Sequence, residues 1–190
     1  MIWTQIIKDK INKQAIHLSA NDYFERACML YDYAANVELG DSTNREGHAA
    51  KVYFNTLFGL DFSRTQENAI NAALDYGYGI ILSVFNREIV SNGYITQLGL
   101  RHKNQFNQFN LSSDLMEPFR ILVDRIVVAQ MPEKFNKEMK YELIGILSDP
   151  VIIDGKTMVT MDAIKVYCKS VFAALSKEDP FLIKFYNYEL

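Results

Sequence analysis

Two glutamates and one histidine in this sequence, Glu46, Glu117 and His102, are residue types that can together bind a divalent metal ion. Both glutamates fall in the predicted first turn of a helix, where free N–H groups and the helix dipole also favour a phosphate group. Two carboxylates and a neutral imidazole that converged on one point would bind Mg²⁺ or Mn²⁺, and the imidazole favours Mn²⁺. The chemistry to consider is therefore a metal-assisted reaction at a phosphodiester.

Both glutamates also have a purely structural explanation, which is helix capping. Residues 43–46 read Thr-Asn-Arg-Glu, a capping box in which the glutamate bonds back to the start of the helix. In the segment NLSSDLMEPFR, residues 110–120, Asp114 would be the N-cap and Glu117 its partner three residues later. On a helical wheel Glu117 lies almost opposite the apolar stripe, so this interpretation leaves it in solvent. The residue pattern leaves capping and metal binding both open.

The histidine candidate, His102, lies between Arg101 and Lys103 in an amide-rich segment. Two neighbouring cations would disfavour its protonation and leave a neutral imidazole that can bind a metal. A lone histidine in a loop is more often simply exposed. His17, at a helix end, and His48, within a helix, are weaker candidates.

The charge balance limits how this chain would contact nucleic acid. A net charge of −3 and a pI near 5.6 are not typical of a general polyanion-binding protein, so a local basic patch would have to supply the contact. The basic residues near the candidate ligands are Arg45, Lys51, Arg64, Arg101, Lys103, Arg120 and Arg125. Those predicted to contact a phosphate backbone, with a strong salt dependence, are Arg45, Arg101, Lys103 and Arg120.

No segment predicts export or membrane insertion. The N-terminal residues 1–13 are interrupted by charges and do not resemble a signal peptide. The longest apolar run, residues 76–85, is far shorter than the about 20 residues that a membrane span needs. Cys28 and Cys168 lack the paired spacing of a zinc site and are expected to be small buried groups in a reducing compartment. These features predict a cytoplasmic protein without a membrane partner.

Apolar residues recur with helical spacing along most of the chain. The predicted helices cover about residues 2–18, 23–37, 44–58, 66–91, 113–129, 137–147 and 161–175, with a short last helix in 180–190. Asp154-Gly155 between two β-branched runs predicts a hairpin, and the amide-rich segment 94–110 predicts a long irregular connection. The predicted fold class is all-α, a multi-helix domain over residues 1–190 with one small β-hairpin near the C-terminus.

Three strings in the central part of the chain resemble a known family. They are REGHAAKVYFNTLFG at 45–59, NAALDYGYGIILSVFNREIVSNG at 71–93, and LGLRHKNQFNQFNLSSDLMEPFRILVD at 98–124. They are similar to the CRISPR-associated spacer-acquisition integrase, the first-numbered of the two universal adaptation proteins, in a variant like that of type II systems. The resemblance covers residues 45–125 in order and extends more loosely from Trp3 to the C-terminus.

The resemblance implies a metal centre and assigns its ligands. Glu46 stands in the family's Glu-Gly-x-Ala-Ala string, His102 before the amide-rich loop, and Glu117 in the string DLMEPFR. These three would be both the catalytic residues and the ligands of Mg²⁺ or Mn²⁺. Asp114 aligns with a second acid that some members carry and would have a supporting role.

The chain also departs from the family pattern at three positions near the implied ligands. Asp75 replaces an asparagine, Arg101 stands where a second histidine is common, and Ser113 stands where another acid often occurs. The three implied ligands are unaffected, and the departures concern the groups that surround them.

The resemblance further implies a reaction and partners. The 3′-hydroxyl of a foreign DNA fragment would attack a phosphodiester at the edge of a CRISPR repeat, and endonuclease cleavage would be the same chemistry with water. The expected partners are double-stranded DNA, the second adaptation protein and, for the full-length protein, a second copy. The family has an N-terminal β-rich domain, whereas this chain begins directly in the first predicted helix and is expected to be the catalytic domain alone. The alternative is a catalytically silent helical scaffold or DNA-docking module, in which the carboxylates are only caps.

Overall fold

The computed structural model describes residues 1–187, in which α-helices form most of the chain and confirm the predicted fold class. The helices are α1 Ile2–Ala20, α2 Phe24–Ala35, α3 Arg45–Phe58, α4 Ala69–Ser91, α5 Asn110–Leu115, α6 Arg120–Gln130, α7 Lys137–Gly145 and α8 Thr160–Lys177. Short 3₁₀ turns lie at Leu39–Asp41, Glu117–Phe119, Ile146–Ser148 and Pro180–Leu182. Within the same residues, no helix combines the length and apolar character needed to cross a membrane.

The predicted hairpin is confirmed, but it is part of a larger sheet. Strands β1 Pro150–Ile153 and β2 Lys156–Val159 pair in antiparallel fashion, and Asp154 and Gly155 turn between them with φ of 54° and 71°. A third strand, β3 Tyr186–Asn187, pairs with β1 and gives the order β2-β1-β3. The predicted last helix is therefore wrong for residues 183–187, and the rest of that prediction lies outside the described residues.

Tyr186 explains why residues 186 and 187 form a strand. Its side chain is fully buried, its ring lies 4.3 Å from the ring of Phe119, and its hydroxyl donates to the carbonyl of Pro118 at 2.9 Å. A buried tyrosine that also satisfies its hydroxyl stabilises the backbone that presents it. The end of the described chain is thus attached to the turn that follows α5.

The core is built around α1 and α4. Helix α1 packs against α2, α3 and the 3₁₀ turn at Glu117–Phe119, and α4 packs against α6, α7 and α8. The close approach of α4 and α6 requires Gly77, because a Cβ atom there would lie 2.5 Å from Val123. Ridges of Ile, Leu and aromatic side chains fill the space between these helices, as the helical periodicity predicts.

The predicted single helix over 113–129 is wrong, and Pro118 is the reason. The segment is divided into α5, a 3₁₀ turn and α6. Proline has no N–H for the i−4 carbonyl, so the next amide, that of Phe119, bonds to Met116 at 2.8 Å with 3₁₀ spacing. The tighter turn changes the face on which Glu117 lies. Instead of pointing to solvent, Glu117 is only 3% exposed.

The two cysteines differ in burial. Cys168 is fully buried as expected, and burial raises the pKa of its thiol. Cys28 is exposed, which contradicts the expectation, because α2 turns Ala27, Leu30 and Ala34 inward and leaves position 28 on the outer face. The buried face of α2 is therefore narrower than the number of apolar residues in this helix indicates.

Candidate metal centre

Glu46 lies in the first turn of α3, but Asp41 caps this helix. The Asp41 carboxylate accepts from the backbone N–H of Arg45 at 2.7 Å and from that of Glu46 at 3.1 Å. The N-cap residue by position is Asn44, whose side chain makes no capping bond. The predicted capping box over residues 43–46 is therefore wrong. Because Asp41 satisfies the helix start, the Glu46 carboxylate is available for other contacts.

Glu117 is held between two cations. Its Oε2 lies 2.6 Å from Lys10 Nζ, and its Oε1 lies 3.0 Å from an Arg120 nitrogen. Burial alone would raise the pKa of Glu117, but Arg120 and Lys10 outweigh that effect and lower the pKa to about 2. The Lys10 contact is an ion pair without good hydrogen-bond alignment, so the buried Oε2 has no hydrogen-bond partner. The proposed role of Glu117 as a solvated capping partner is wrong.

Lys10, on α1, joins the two glutamates through a single ammonium group. Its Nζ lies 2.6 Å from Glu46 Oε1 as well as 2.6 Å from Glu117 Oε2. Burial would lower the pKa of Lys10, but Glu117 and Glu46 raise it above the ordinary value. The sequence interpretation missed Lys10. A signal was available, since Lys10 follows the fully buried Ile6 and Ile7 by four and three residues and so shares their face.

His102 is fixed by Asp114. The fully buried Asp114 carboxylate accepts from the backbone N–H of Arg101 at 2.8 Å, from that of His102 at 3.3 Å, and contacts His102 Nδ1. Asp114 therefore does not cap a helix; it orients the loop that carries the imidazole. Gly99 permits this arrangement, because a Cβ atom there would lie 2.4 Å from the His102 carbonyl oxygen and 2.8 Å from Asp114 Oδ2. With Nδ1 occupied, Nε2 is the ring nitrogen left for a ligand.

The electrostatics of His102 differ from the sequence expectation. The hydrogen bond with Asp114 raises its pKa despite partial burial, and the charges of Asp114, Glu117 and Glu46 raise it further. The predicted effect of Arg101 and Lys103 in keeping the imidazole neutral is therefore wrong, since three carboxylates of the site raise the pKa of His102. The influence of both glutamates on His102 also indicates that the three predicted ligands lie in one region.

The donor atoms are of the types that bind a hard divalent ion, but their present arrangement does not surround an ion. Two carboxylates from separate elements share one cation, and a histidine is oriented through Nδ1 by a carboxylate, as is common for metal-bound histidines. Glu117 Oε2 is buried and lacks a directional partner, which suits a cation ligand. In residues 1–187, however, no three Asp, Glu, His or Cys side chains are close enough together to hold an ion as they stand.

The other two histidines are engaged elsewhere. The ring Nδ1 of His17 bonds to the hydroxyl of Tyr53 at 2.6 Å, and burial followed by the charge of Arg125 lowers the pKa of His17 to about 4. The ring of His48 lies 6.4 Å from that of Tyr33. By contrast, the ring of His102 meets Trp3 edge-on at 6.1 Å, which places the start of α1 beside the candidate centre.

The predicted nucleic-acid contacts divide into two groups. Arg101 and Lys103 are exposed beside His102 and are accessible to a phosphate backbone. Arg45 is half-buried with its guanidinium 5.5 Å from the centre of the Tyr33 ring. Arg120 pairs with Glu117 and stacks over Tyr78 at 4.7 Å, so part of its charge is already neutralised.

A small cavity adjoins the candidate centre on the side of Lys10. Its volume is about 180 Å³. Its lining includes Lys10, Gln14, Arg64, Tyr78, Arg120 and Asp124. Asp124 is buried and accepts a hydrogen bond from the Tyr78 hydroxyl, and burial raises its pKa to about 6. Glu117 also lines this cavity, which therefore extends from the candidate centre to Gln14 and Asp124 and gives the Lys10 side chain space next to further polar groups.

Comparison with known proteins matches residues 4–144 to the family described as CRISPR associated protein Cas1. The CRISPR-associated endonuclease Cas1 of Neisseria meningitidis serogroup C (strain 8013) is 32% identical over 183 residues, which are 94% of this chain and 60% of that protein. The CRISPR-associated endonuclease Cas1 1 of Francisella tularensis subsp. novicida (strain U112) is 29% identical over 68% of this chain and 43% of its own length. The chain thus spans about half the length of these two relatives.

Solved structures share the fold. A Cas1 protein from Thermotoga maritima matches with a TM-score of 0.75 and 18% identity over 94% of this chain and 68% of that one. A casposase bound to integration product matches with a TM-score of 0.73 and 21% identity over 93% of this chain and 64% of that one. The helical arrangement described above is therefore the one found in these proteins.

Proposed function

The chain belongs to the Cas1 family of CRISPR-associated proteins, and from this premise we propose that it carries out metal-dependent DNA strand transfer and cleavage. In the transfer reaction the 3′-hydroxyl of a DNA fragment attacks a phosphodiester at the edge of a CRISPR repeat; the new P–O bond replaces the bond to the neighbouring 3′-oxygen, which leaves as a 3′-hydroxyl. In cleavage, water takes the place of the hydroxyl. The observation that carries the proposal is the convergence of the Glu46 and Glu117 carboxylates on one cation, with His102 beside them.

Glu46, Glu117 and the Nε2 atom of His102 would hold Mg²⁺ or Mn²⁺. A bound ion of this kind neutralises the charge that develops on the phosphate and activates the attacking or leaving oxygen. Asp114 supports the proposal because it engages the imidazole through Nδ1 and so leaves Nε2 as the ring nitrogen that can bind an ion. Arg120 supports it because its bond to Oε1 of Glu117 leaves Oε2 for the ion.

The substrate and partners follow from the same proposal. Arg101 and Lys103 would contact the DNA backbone beside the reacting phosphate, which gives affinity and register without reading sequence. Double-stranded DNA, the second adaptation protein and a second copy of the full-length protein are the proposed partners. The descriptions of two structural neighbours support these proposed partners. One neighbour is a Cas6-RT-Cas1–Cas2 complex, and the other is a casposase bound to integration product.

A catalytically silent scaffold is the second candidate, and one observation favours it. The ion pairs with Lys10 and Arg120 neutralise the charges of both glutamates without a metal. Melting temperatures in the presence and absence of Mn²⁺ separate the two functions, since an ion that binds only the folded state must raise the midpoint. A scaffold has no such response.

The test of the proposed function compares Glu117→Gln with Glu138→Gln. Glu138 is an exposed glutamate in the first turn of α7 and controls for a general effect of removing a carboxylate at a helix start. Glu117→Gln is expected to abolish both the Mn²⁺-dependent rise in melting temperature and strand transfer, while Glu138→Gln retains both. Strand transfer by Glu117→Gln at the wild-type rate would refute the assignment.

A further inference from the structure

We infer that Lys10 is the resident counter-cation of the candidate metal centre: its ammonium holds the Glu46 and Glu117 carboxylates together without metal, and an incoming divalent ion must displace it. The inference rests on the proposed function, because it concerns the regulation of metal entry to the same site. It adds a positioning residue on α1, an element that carries none of the proposed ligands.

The first argument is that Lys10 contacts the atoms a metal would need. Nζ lies 2.6 Å from Glu46 Oε1 and 2.6 Å from Glu117 Oε2. A single nitrogen atom therefore contacts one oxygen of each carboxylate. An ammonium has only donors and cannot itself be a ligand to a metal ion. A divalent ion bound by the same two oxygens therefore cannot coexist with Nζ in its present position.

The second argument is the balance of charge. The carboxylates of Glu46 and Glu117 face the cations of Lys10 and Arg120, which gives two charges of each sign around a largely buried point. A divalent ion added to this set would leave two positive charges in excess where water screens weakly. Moving Lys10 away reduces that excess, while Arg120 remains on Glu117 Oε1.

The third argument is that the structure provides a second position for the ammonium. Gln14 follows Lys10 by one helical turn on α1, lines the same cavity of about 180 Å³, and is only 4% exposed. Its Oε1 is buried and accepts no hydrogen bond, although a buried acceptor of this kind is normally satisfied. Asp124 also lines the cavity. The flexible stem of lysine allows Nζ to turn from the two glutamate oxygens to Gln14 Oε1, in the cavity that Asp124 also lines.

The experiment measures Mn²⁺ affinity by calorimetry and by electron paramagnetic resonance in four proteins: wild type, Lys10→Met, Gln14→Leu and the double variant. Lys10→Met removes the competing cation and is expected to bind Mn²⁺ about tenfold more tightly, while its metal-free form melts at a lower temperature. Gln14→Leu removes the second position and is expected to weaken Mn²⁺ binding severalfold. In the Lys10→Met background the Gln14→Leu change should have no effect, because no ammonium then needs that acceptor.

Two further variants serve as controls. Lys8→Met removes a lysine from the same helix and is expected to leave the Mn²⁺ affinity at the wild-type value. Lys10→Arg keeps a cation and is expected to bind Mn²⁺ no more tightly than wild type, which separates loss of charge from any change at position 10. If Lys10→Met does not fold, Gln14→Leu and Lys10→Arg decide the question, since wild-type affinity in the former or tighter binding in the latter overturns the inference.

The outcomes also separate this inference from the proposed function. Absence of Mn²⁺ binding in every folded variant and in wild type would refute the metal centre itself. Mn²⁺ binding by wild type together with equal or weaker binding by a folded Lys10→Met would refute the role of Lys10 and leave the metal centre intact. Tighter binding by Lys10→Met, with the effect of Gln14→Leu confined to proteins that retain Lys10, supports both.

Discussion

Asp114 holds His102 twice, through the backbone N–H and through the ring Nδ1, and it does so from a fully buried position on α5. The loop that carries the imidazole is otherwise irregular, so this carboxylate decides where Nε2 points. A carboxylate that accepts from Nδ1 fixes the tautomer in which Nε2 is a free acceptor. The position of the His102 imidazole in the candidate metal centre therefore depends on one buried carboxylate, that of Asp114.

Asp114→Asn is expected to lower the Mn²⁺ affinity by about 10- to 100-fold, the usual cost of losing such a supporting group. An asparagine amide accepts less strongly and can present a donor to Nδ1 instead. Titration calorimetry with Mn²⁺ measures the change. Asp154→Asn, a matched substitution in the exposed hairpin turn, should leave the affinity unchanged. Unaltered Mn²⁺ binding by Asp114→Asn would contradict the orienting role.

The two glutamates should differ in their contribution to stability. The Glu117 side chain is 4% exposed and paired with two cations, so Glu117→Gln leaves buried charge uncompensated and is expected to cost about 3 kcal/mol of unfolding free energy. Glu46 is 23% exposed in its side chain, and Glu46→Gln should cost less than about 1 kcal/mol.

Urea unfolding in the absence of metal measures both values. Both variants should nevertheless lose the response to Mn²⁺ and the strand-transfer activity, and so should His102→Ala. Equal destabilisation by the two glutamine substitutions would show that the burial of Glu117 has no energetic consequence. Activity that survived any one of the three changes would remove that residue from the ligand set.

The buried histidine outside the centre predicts a pH dependence of stability. Burial lowers the pKa of His17 to about 4, whereas the unfolded value is 6.5. Between those values the unfolded chain binds more protons, so the contribution of His17 is full above pH 6.5 and is lost as the pH falls toward 4. The loss at pH 5 is about 2 kcal/mol relative to pH 7.

The His17 effect must be measured by difference, because Asp124 acts in the opposite direction. Its pKa is raised to about 6, so its ionised form weakens the fold above pH 6 and protonation relieves that cost as the pH falls. The unfolding free energy of His17→Gln should fall less between pH 7 and 5 than that of wild type. His48→Gln, which changes an exposed histidine, should follow wild type. Parallel curves for His17→Gln and wild type would show that His17 is not buried in the neutral form.

Binding to DNA should depend on salt through the exposed cations beside His102. Replacing Arg101 and Lys103 by glutamine is expected to reduce the slope of log K against log salt by about 2, because each lost phosphate contact releases about one counterion fewer. Fluorescence anisotropy with a labelled duplex at several salt concentrations measures the slope. Lys156 and Lys177, exposed on β2 and at the end of α8, provide a double control that should retain it.

Adding Arg45→Gln and Arg120→Gln to that variant should reduce the slope by less than a further 2, since Arg120 already pairs with Glu117. A quadruple variant with the wild-type salt dependence would remove the basic-patch proposal.

The 190-residue chain expressed alone should fold and bind Mn²⁺ but fail in two-ended integration. The proposed ligands lie between residues 46 and 117, and the helices around them share one core. Two-ended integration needs two centres at a fixed spacing, and this chain spans 60% of the length of its Neisseria meningitidis relative. Gel filtration with an integration assay tests the expectation. A stable dimer that integrates both ends would show that this chain already carries the assembly surfaces.

Local patterns predicted most of the fold, while contacts across the chain determined the centre. Helical periodicity and the Asp154-Gly155 turn are properties of adjacent residues, and both predictions are confirmed. The burial of Glu117 depends on how Pro118 changes the turn, and the contact of Lys10 with Glu46 joins residues 36 positions apart. A helical wheel represents neither a change of turn nor a contact between distant segments. For this reason the sequence interpretation placed Glu117 in solvent and did not identify Lys10.

The edge-on contact between Trp3 and His102 gives the protein an optical reporter of its own. Trp3 is the only tryptophan in the sequence, and its ring centre lies 6.1 Å from that of the proposed ligand. A protonated imidazole or a paramagnetic ion at this distance quenches indole emission, while a diamagnetic ion such as Mg²⁺ acts only through the imidazole. The fluorescence of Trp3 therefore reports protonation or metal binding at His102, one of the three histidines in the sequence. The signal needs no label and can be followed in real time.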